Sequence, residues 1–382
     1  MNLKITIPLP LIVSIEDVGW WKGTDGSNFN QPFRTGMPRD HVPEDYAAIA
    51  ALGEKLDMKL LAGFVLCEWD RDDILKKLPS STWMGKSWTS PYRDQEQKNQ
   101  AARIIKNAEN YIEMGLHGLG HEFWDQGVMK RTEFHDPDGA MRDPDEIRKH
   151  FFFFFKIMEQ YRFDCMPKTF IPPALMHSFG DPDKGFQKIL HEFGINYVTL
   201  MFSRTRFHSM PQTGKIAWEN DVLLVERGES ETGWNMVAAE PGFKFDRPVM
   251  ALHWANILHP DPGKNVSVIE KWAGYIKTGS EKKGMLLSKD SGSCFTQYCH
   301  CTMSEIQRID DGVLIDVGWM DKVPAKLLKN PIYLKIDAPE GTQLKIIGAK
   351  QEPCLRSAEK PFLKLAVSGQ ERKIIIRSES NI

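Results

Sequence analysis

The sequence predicts an α/β fold: parallel strands in a distorted (β/α) barrel of about seven strands, then a small C-terminal antiparallel β-sandwich-like module. Three observations lead there. Apolar strand-like runs alternate with helix-period segments through roughly the first 290 residues, and the connectors between them are short, as in βαβ units on a parallel sheet. After residue 300 the texture changes to short alternating strands with turn signals and no helix pattern after Gln307, as in a β-sandwich. The chain has 382 residues, enough for two or three domains or for one barrel with an appendage. The expected division is 1–300 for the barrel and 301–382 for the module.

The elements follow in order. Leu11–Ile15 is an apolar first strand. Tyr46, Ile49, Ala50 and Leu56 form a stripe that predicts a helix over Pro43–Leu56. Lys59–Leu66 has the continuous apolar character of a strand buried on both faces. Ala102, Ile105, Ala108, Tyr111 and Ile112 predict one helix over Gln95–Met114, stopped at Gly115. A short glycine-rich piece, Leu116–Gly120, comes next. Asp145–Tyr161 reads as a helix whose five consecutive phenylalanines, Phe151–Phe155, cover every face and predict burial on most sides. Lys168–Ile171 is a strand ended by Pro172-Pro173. Asp183–Phe193 and Ser267–Thr278 read as helices, and Asn196–Met201, Asp221–Glu226, Val249–Ala255 and Gly284–Leu287 as strands. In the module, strands are expected at Val313–Val317, Ile332–Ile336, Gln343–Ile347, Phe362–Val367 and Lys373–Ile376. Pro339-Glu340-Gly341 and Ser368-Gly369 supply turns between them.

Composition excludes several classes. Hydrophobic residues are 41% and charged residues 26% of the chain, which is enough apolar material for a core and rules out wholesale disorder. The net charge of −2 carries no broad positive footprint, so no nucleic-acid partner is expected. No apolar run approaches the roughly 18–20 residues of a membrane span. Six cysteines are too few for a disulfide scaffold. Cys294, Cys299, His300 and Cys301 lack the paired C-x-x-C knuckles of a structural zinc site, and the three cysteines read as free thiols. Met1–Ile15 has no small-residue cleavage pattern and reads as the approach to a core strand rather than a signal peptide. That leans toward the cytoplasm and leaves the compartment open. Oligomeric state is not legible.

Active sites of parallel barrels lie at the carboxyl ends of the strands. Glu16-Asp17 ends the first strand, His117-Gly118-Leu119-Gly120-His121 follows the long helix, and His253 sits on the strand beginning at Val249. Two histidines and one carboxylate suit a divalent metal with open positions. A second, adjacent carboxylate suits a general base acting on water that the ion has made more acidic. Plainer readings stand beside these. Glu-Asp after a strand often caps a turn, a histidine pair four apart arises by chance, and Gly118 and Gly120 disfavour a regular helix. Trp20 and Trp21 either wall the cleft and stack on a sugar or pack in the core.

These segments resemble the polysaccharide deacetylase (NodB-homology) superfamily, metal-dependent carbohydrate esterases of the glycoside hydrolase/deacetylase barrel group. Ser14-Ile15-Glu16-Asp17-Val18-Gly19 is similar to its first motif, Thr-Phe-Asp-Asp-Gly, and His117–His121 to its second, His-(Ser/Thr)-x-x-His. Thr169-Phe170-Ile171-Pro172-Pro173 stands where its Arg-x-Pro-Tyr motif lies, and Leu252-His253 matches Leu-x-His. The resemblance covers about residues 5–290. It implies that Asp17, His117 and His121 hold a divalent ion, zinc with cobalt or nickel as alternatives, that Glu16 is the general base, and that His253 is the acid protonating the leaving group. It implies hydrolysis of an N- or O-linked acetyl group on a sugar or glycan, with Trp20, Trp21, Pro172 and Pro173 on the substrate side. Three departures are visible: Glu16 replaces an Asp, the third segment has no Arg, and no Asp-x-x-Asp-Trp segment is found. Two other functions stay open: a glycoside hydrolase using a carboxylate pair on a related barrel, and a non-catalytic carbohydrate-binding protein.

Overall fold

The computed structural model describes residues 3–24, 31–339, 341–368 and 370–379. The chain divides into two compact units, one made of Val13–Lys244 and Val249–Lys277, the other of Met1–Ile12, Phe245–Pro248 and Thr278–Ile382. Residues 278–300, grouped above with the barrel, thus belong with the β module.

The chain opens with β1 (Lys4–Thr6), which belongs to the second unit, and β2 (Pro10–Val18). The first unit then adds β3 (Leu60–Val65), β4 (Ile112–Gly118), β5 (Thr169–Phe170), β6 (Tyr197–Leu200), β7 (Ile216–Glu219), β8 (Val222–Glu226) and β9 (Val249–His253). Their spatial order is β7-β8-β6-β5-β4-β3-β2-β9. Every pairing from β8 to β2 is parallel, and β7 edges the sheet antiparallel to β8. The sheet curls as a half-barrel. Among the described residues no pairing joins β7 to β9, so it stays open.

Helices α1 (Pro43–Leu56), α2 (Gln95–Asn107), α3 (Pro144–Tyr161), α4 (Phe186–Glu192) and α5 (Asn265–Lys283) alternate with the strands. Local chemistry starts two of them. The Asp94 side chain accepts the Gln97 N–H at the head of α2, and Asp143 accepts those of Asp145 and Glu146 at the head of α3, where Pro144 is the first helical residue. All six residues of β3 are buried, as its apolar run requires.

Two expectations need correction. The helix expected to reach Met114 stops at Asn107, because Ile112–Gly118 extends instead as β4 beside β3, with Leu60 N–H on Tyr111 O at 2.9 Å. Sheet pairing here overrides a helical spacing. In α3, the face carrying Ile147, Phe151, Phe154 and Met158 is buried, but Phe152 is 50% exposed. Five phenylalanines in a row span all faces, and only one face meets the core.

The second unit contains β10 (Leu286–Leu287), α6 (Ser291–Met303), β11 (Glu305–Ile309), β12 (Gly312–Asp316), β13 (Ile332–Asp337), β14 (Gln343–Ile347), β15 (Ala349–Glu352), β16 (Leu363–Val367) and β17 (Lys373–Glu379). They form two four-stranded antiparallel sheets, β1-β13-β16-β15 and β11-β12-β17-β14. One core joins them: Ile5, Val313, Ile315, Ile332, Leu334, Leu365, Ile374 and Ile376 are all buried in it. Helix α6, which the sequence reading left unassigned, is capped by Asp290 on Ser293 N–H. Its Gln297 ties Pro8 O to both backbone groups of Tyr333. Glu340 and Gly369 of the expected turns lie outside the described residues. Among the described residues, no helix is long and apolar enough to cross a membrane.

Candidate metal centre

In a regular strand, consecutive side chains point to opposite faces, yet Glu16 and Asp17 line the same cavity. A bulge explains this. The register of β2 on β3 shifts between Ile15 and Val18, and Asp17 takes a left-handed backbone, φ 62°. A bulge of this kind re-aims a side chain beside a site.

His117 lies near the end of β4, and His121 follows in a turn with φ 63°. His117 Nε2 is 3.5 Å and His121 Nε2 4.0 Å from Asp17 Oδ1. One ligand atom from each of the three residues lies within 4.8 Å of the others. Both imidazoles are oriented from behind. His117 Nδ1 is 2.7 Å from Ile171 O, an acceptor only, so this nitrogen carries the proton. His121 Nδ1 is 2.6 Å from Glu122 Oε1 and donates to it. The Nε2 lone pairs are thereby left for the centre of the cluster, and His117 Nε2 is buried without a hydrogen-bond partner. Metal-binding histidines are held in this way.

Electrostatics agree. Burial pushes the Asp17 carboxyl up, but His117 and His121 outweigh it and hold Asp17 far below the usual carboxylate range. Burial pushes His117 down, but Asp17, Glu16 and the Ile171 carbonyl more than offset it, and its net shift is upward. The cluster therefore calls for positive charge between Asp17 and the two rings, and its donor set of two imidazoles and a carboxylate fits a divalent cation.

Beside it, Glu16 Oε1 accepts from Arg227 Nη1, and Glu16 Oε2 is 4.0 Å from His253 Nε2. Burial raises the Glu16 pKa, but Arg227, then His253 and His117, bring it below its ordinary value. Burial lowers His253 more than Glu16 and Asp17 raise it, so it stays neutral near pH 7. Arg227 has no motif to mark it, but it directly follows β8, where the strand-end rule that points to Glu16 also reaches.

The cavity holding these groups measures about 680 Å³. Two expected wall pairs are absent from it. Trp20 and Trp21 are fully buried. Trp21 stacks on Tyr92 at 4.6 Å and tilts against Trp69 at 5.3 Å, and Trp20 faces the Arg34 guanidinium. The chain turns at Gly19 after the bulge and carries both indoles into the core. Pro172 and Pro173 are also buried, in a short turn. The residues after them, Ala174 and Leu175, take positive φ and reach the cavity in their place. The aromatic wall comes from Phe33 and Trp234, whose rings meet edge to face at 6.1 Å. Neither sits in a periodic segment that would have marked it.

No protein-family model matches this sequence, and no curated protein does. Solved structures show distant likenesses. A putative polysaccharide deacetylase from Mycobacterium smegmatis matches at 14% identity over 66% of this chain and 80% of that one, with a TM-score of 0.35. A family 4 carbohydrate esterase from Streptomyces lividans matches at 10% identity over 73% and 91%, TM-score 0.32. A putative glycoside hydrolase/deacetylase from Parabacteroides distasonis matches at 11% identity over 87% and 86%, TM-score 0.40. Likeness at these TM-scores fixes neither fold nor function, and the site's meaning rests on its own geometry.

Proposed function

We propose that this chain is a metal-dependent carbohydrate hydrolase that removes an N- or O-linked acetyl group from a sugar or glycan. Asp17, His117 and His121 hold a divalent ion, zinc in the first place, with cobalt or nickel able to replace it. One observation carries the reading: the three ligand atoms meet with both Nδ1 atoms already engaged, next to the Glu16–Arg227 pair, and Asp17 and His121 open on the cavity that Glu16 also lines. The motif resemblance points the same way. The reading takes the curled sheet as a distorted (β/α) barrel and the two smaller sheets as a sandwich.

An ion held there supplies Lewis acidity, polarising the acyl oxygen and easing the deprotonation of water. The rest falls to the chain's own residues. Arg227 keeps Glu16 ionised and occupies Oε1, which leaves Oε2 to take a proton from water. Glu16 is one methylene longer than the Asp of the related motif, and Arg227, arriving from the end of β8, fixes where that longer side chain stops. His253, 4.0 Å from Oε2, takes up the proton that Glu16 has removed from water and hands it to the leaving nitrogen or oxygen, which returns both side chains to their starting states. Phe33 and Trp234 offer apolar faces to a sugar ring.

The test is elemental analysis of untagged protein beside a His117→Ala/His121→Ala double variant, with hydrolysis of acetylated sugars assayed before and after chelation. The expected result is close to one ion per chain, lost in the double variant, and hydrolysis that stops on chelation and returns with the ion. No ion in either protein, even after incubation with zinc, cobalt or nickel, removes the proposal. Activity that survives a strong chelator moves the reading to a carboxylate-pair glycoside hydrolase. Tight glycan binding without turnover under any metal moves it to a binding protein.

A further inference from the structure

Behind the candidate ligands lies a second buried carboxylate, Glu133, which no motif marks. Its side chain is completely buried. Oε1 accepts the Leu119 N–H at 3.0 Å and faces His150 Nδ1 at 2.7 Å. Oε2 accepts the Gly120 N–H at 3.0 Å and the His121 N–H at 2.9 Å. The Glu133 N–H in turn donates to His121 O at 3.0 Å. Three consecutive amides thus converge on one carboxylate, and the third belongs to His121 itself. Charge-assisted bonds of this kind are shorter and roughly twice as strong as neutral ones.

The glycines of His117–His121 gain a reason. Gly118 has φ +138°, and a Cβ there would sit 2.3 Å from Glu133 Oε2. A Cβ on Gly120 would sit 2.3 Å from the Ser81 carbonyl oxygen. The segment between the two histidines must lie this close to the carboxylate to wrap it. The carboxylate is itself anchored: His150 Nε2 is 2.9 Å from Ser80 Oγ, and Ser80 bonds Glu146, so His150 and Glu146 tie it to α3. Glu122 meets the His121 ring, whereas Glu133 holds the His121 backbone.

We propose that Glu133 is a positioning residue of the metal centre. By gathering the amides of Leu119, Gly120 and His121 it references His121 to α3 and sets where the His121 Nε2 stands relative to Asp17 and His117. This rests on the metal reading above. Groups that orient a ligand without touching the ion typically change metal affinity 10–100-fold when replaced.

The experiment uses the full chain and Co²⁺ alone as probe, with affinity from competition against a chromophoric chelator and geometry from the visible absorption of the bound cobalt. Glu133→Gln keeps the size but turns an NH₂ toward amide donors. It is expected to bind Co²⁺ 10–100-fold more weakly than the parent and with a shifted visible spectrum. Asp70→Asn is the matched control. Asp70 is equally buried and accepts Ile74 N–H, Leu75 N–H and Trp88 Nε1–H, so the variant loses a comparable buried carboxylate and is expected to keep parental affinity and spectrum. If Glu133→Gln does not fold, Glu133→Asp carries the same expectation, because it keeps the carboxylate but withdraws it by one methylene from the three amides. The proposal is overturned if the parent binds Co²⁺ and the Glu133→Gln or Glu133→Asp protein binds it within twofold and with an unchanged spectrum. It is equally overturned if Asp70→Asn shifts both as much. A parent that takes up no cobalt overturns the metal centre itself, and the two failures are told apart by that first titration.

Discussion

The unit of the curled sheet buries Glu16, Asp45, Glu68, Asp70, Glu122 and Glu133, whereas among the described residues of the other unit Glu359 is the one buried carboxylate. The second unit's core is aliphatic, lined by isoleucine, leucine and valine from both sheets. Removing a carboxylate from water is costly unless it is hydrogen-bonded or paired, and a core made only for stability has no need of one. Each buried acid of the first unit meets its own donors. Glu68 takes the Trp21 and Lys22 N–H groups and Arg34. Asp45 takes Arg39 and Asn265 and meets His41. Glu16 takes Arg227. The contrast teaches that one unit spends its interior on holding polar groups in place, and that three of its buried acids, Glu16, Glu122 and Glu133, do so at the candidate site.

The contrast can be sharpened or broken. The largest effect is expected at Glu16. If it is the base, Glu16→Gln lowers kcat on an acetylated sugar by about 10²–10⁴ while metal content per chain stays at the parental value; loss of the ion instead would make Glu16 a ligand. Next comes Arg227→Met, which leaves the buried Glu16 carboxylate without its partner. Breaking a buried pair from one side costs about 3–5 kcal/mol, to be read from urea unfolding, and the Arg227→Met/Glu16→Gln double variant is expected to lose less than the two single losses added. A fully additive double variant would show that the two side chains act independently.

In the other unit, Ile374 is fully buried. Ile374→Ala is expected to cost about 2–5 kcal/mol through lost contacts and the cavity left behind, with cobalt affinity unchanged. A shifted affinity would break the separation of roles. The smallest effect concerns protons. His177 in the first unit and His300 in the second are buried, and burial pushes each down to about 3. Unfolded, each takes up a proton below about pH 6.5, while folded it does not until near pH 3. Their contribution is therefore intact above pH 6.5 and is lost as pH falls toward 3, at up to about 1.4 kcal/mol per pH unit for each histidine. Between pH 7 and 5.5, above the range of ordinary carboxylates, urea unfolding of His300→Gln is expected to show a shallower loss than the parent. An identical slope would mean that His300 does not stay neutral in the fold.

Much of this was legible from one sequence because it is local or periodic. The continuous apolar run Lys59–Leu66 reads as a doubly covered strand, and all six residues of Leu60–Val65 are buried. Glu16, Asp17, His117, His121 and His253 were singled out because strand ends collect chemistry, and the structure places all five around one centre. Other readings failed for identifiable reasons. The helix ending at Asn107 looked longer because Ala108, Tyr111 and Ile112 continue its spacing, and only the neighbouring strand draws Ile112 into the sheet. Trp20 and Trp21 leave the cleft and the core both open in the sequence, and their burial favours the core, because direction after a bulge is set by the turn and not by adjacency to a motif.

The alternation of strand and helix, the change to antiparallel strands after residue 300 and the residue types able to hold an ion can all be read along the chain, since periodicity and side-chain chemistry are written in the order of residues. It takes the folded chain to bring Arg227 to Glu16 from 211 positions away, to set Phe33 and Trp234 on the cavity instead of Trp20 and Trp21, and to gather the amides around His121 on Glu133. Those pairings depend on which strands lie side by side and which way a bulged backbone turns, and no local pattern encodes either.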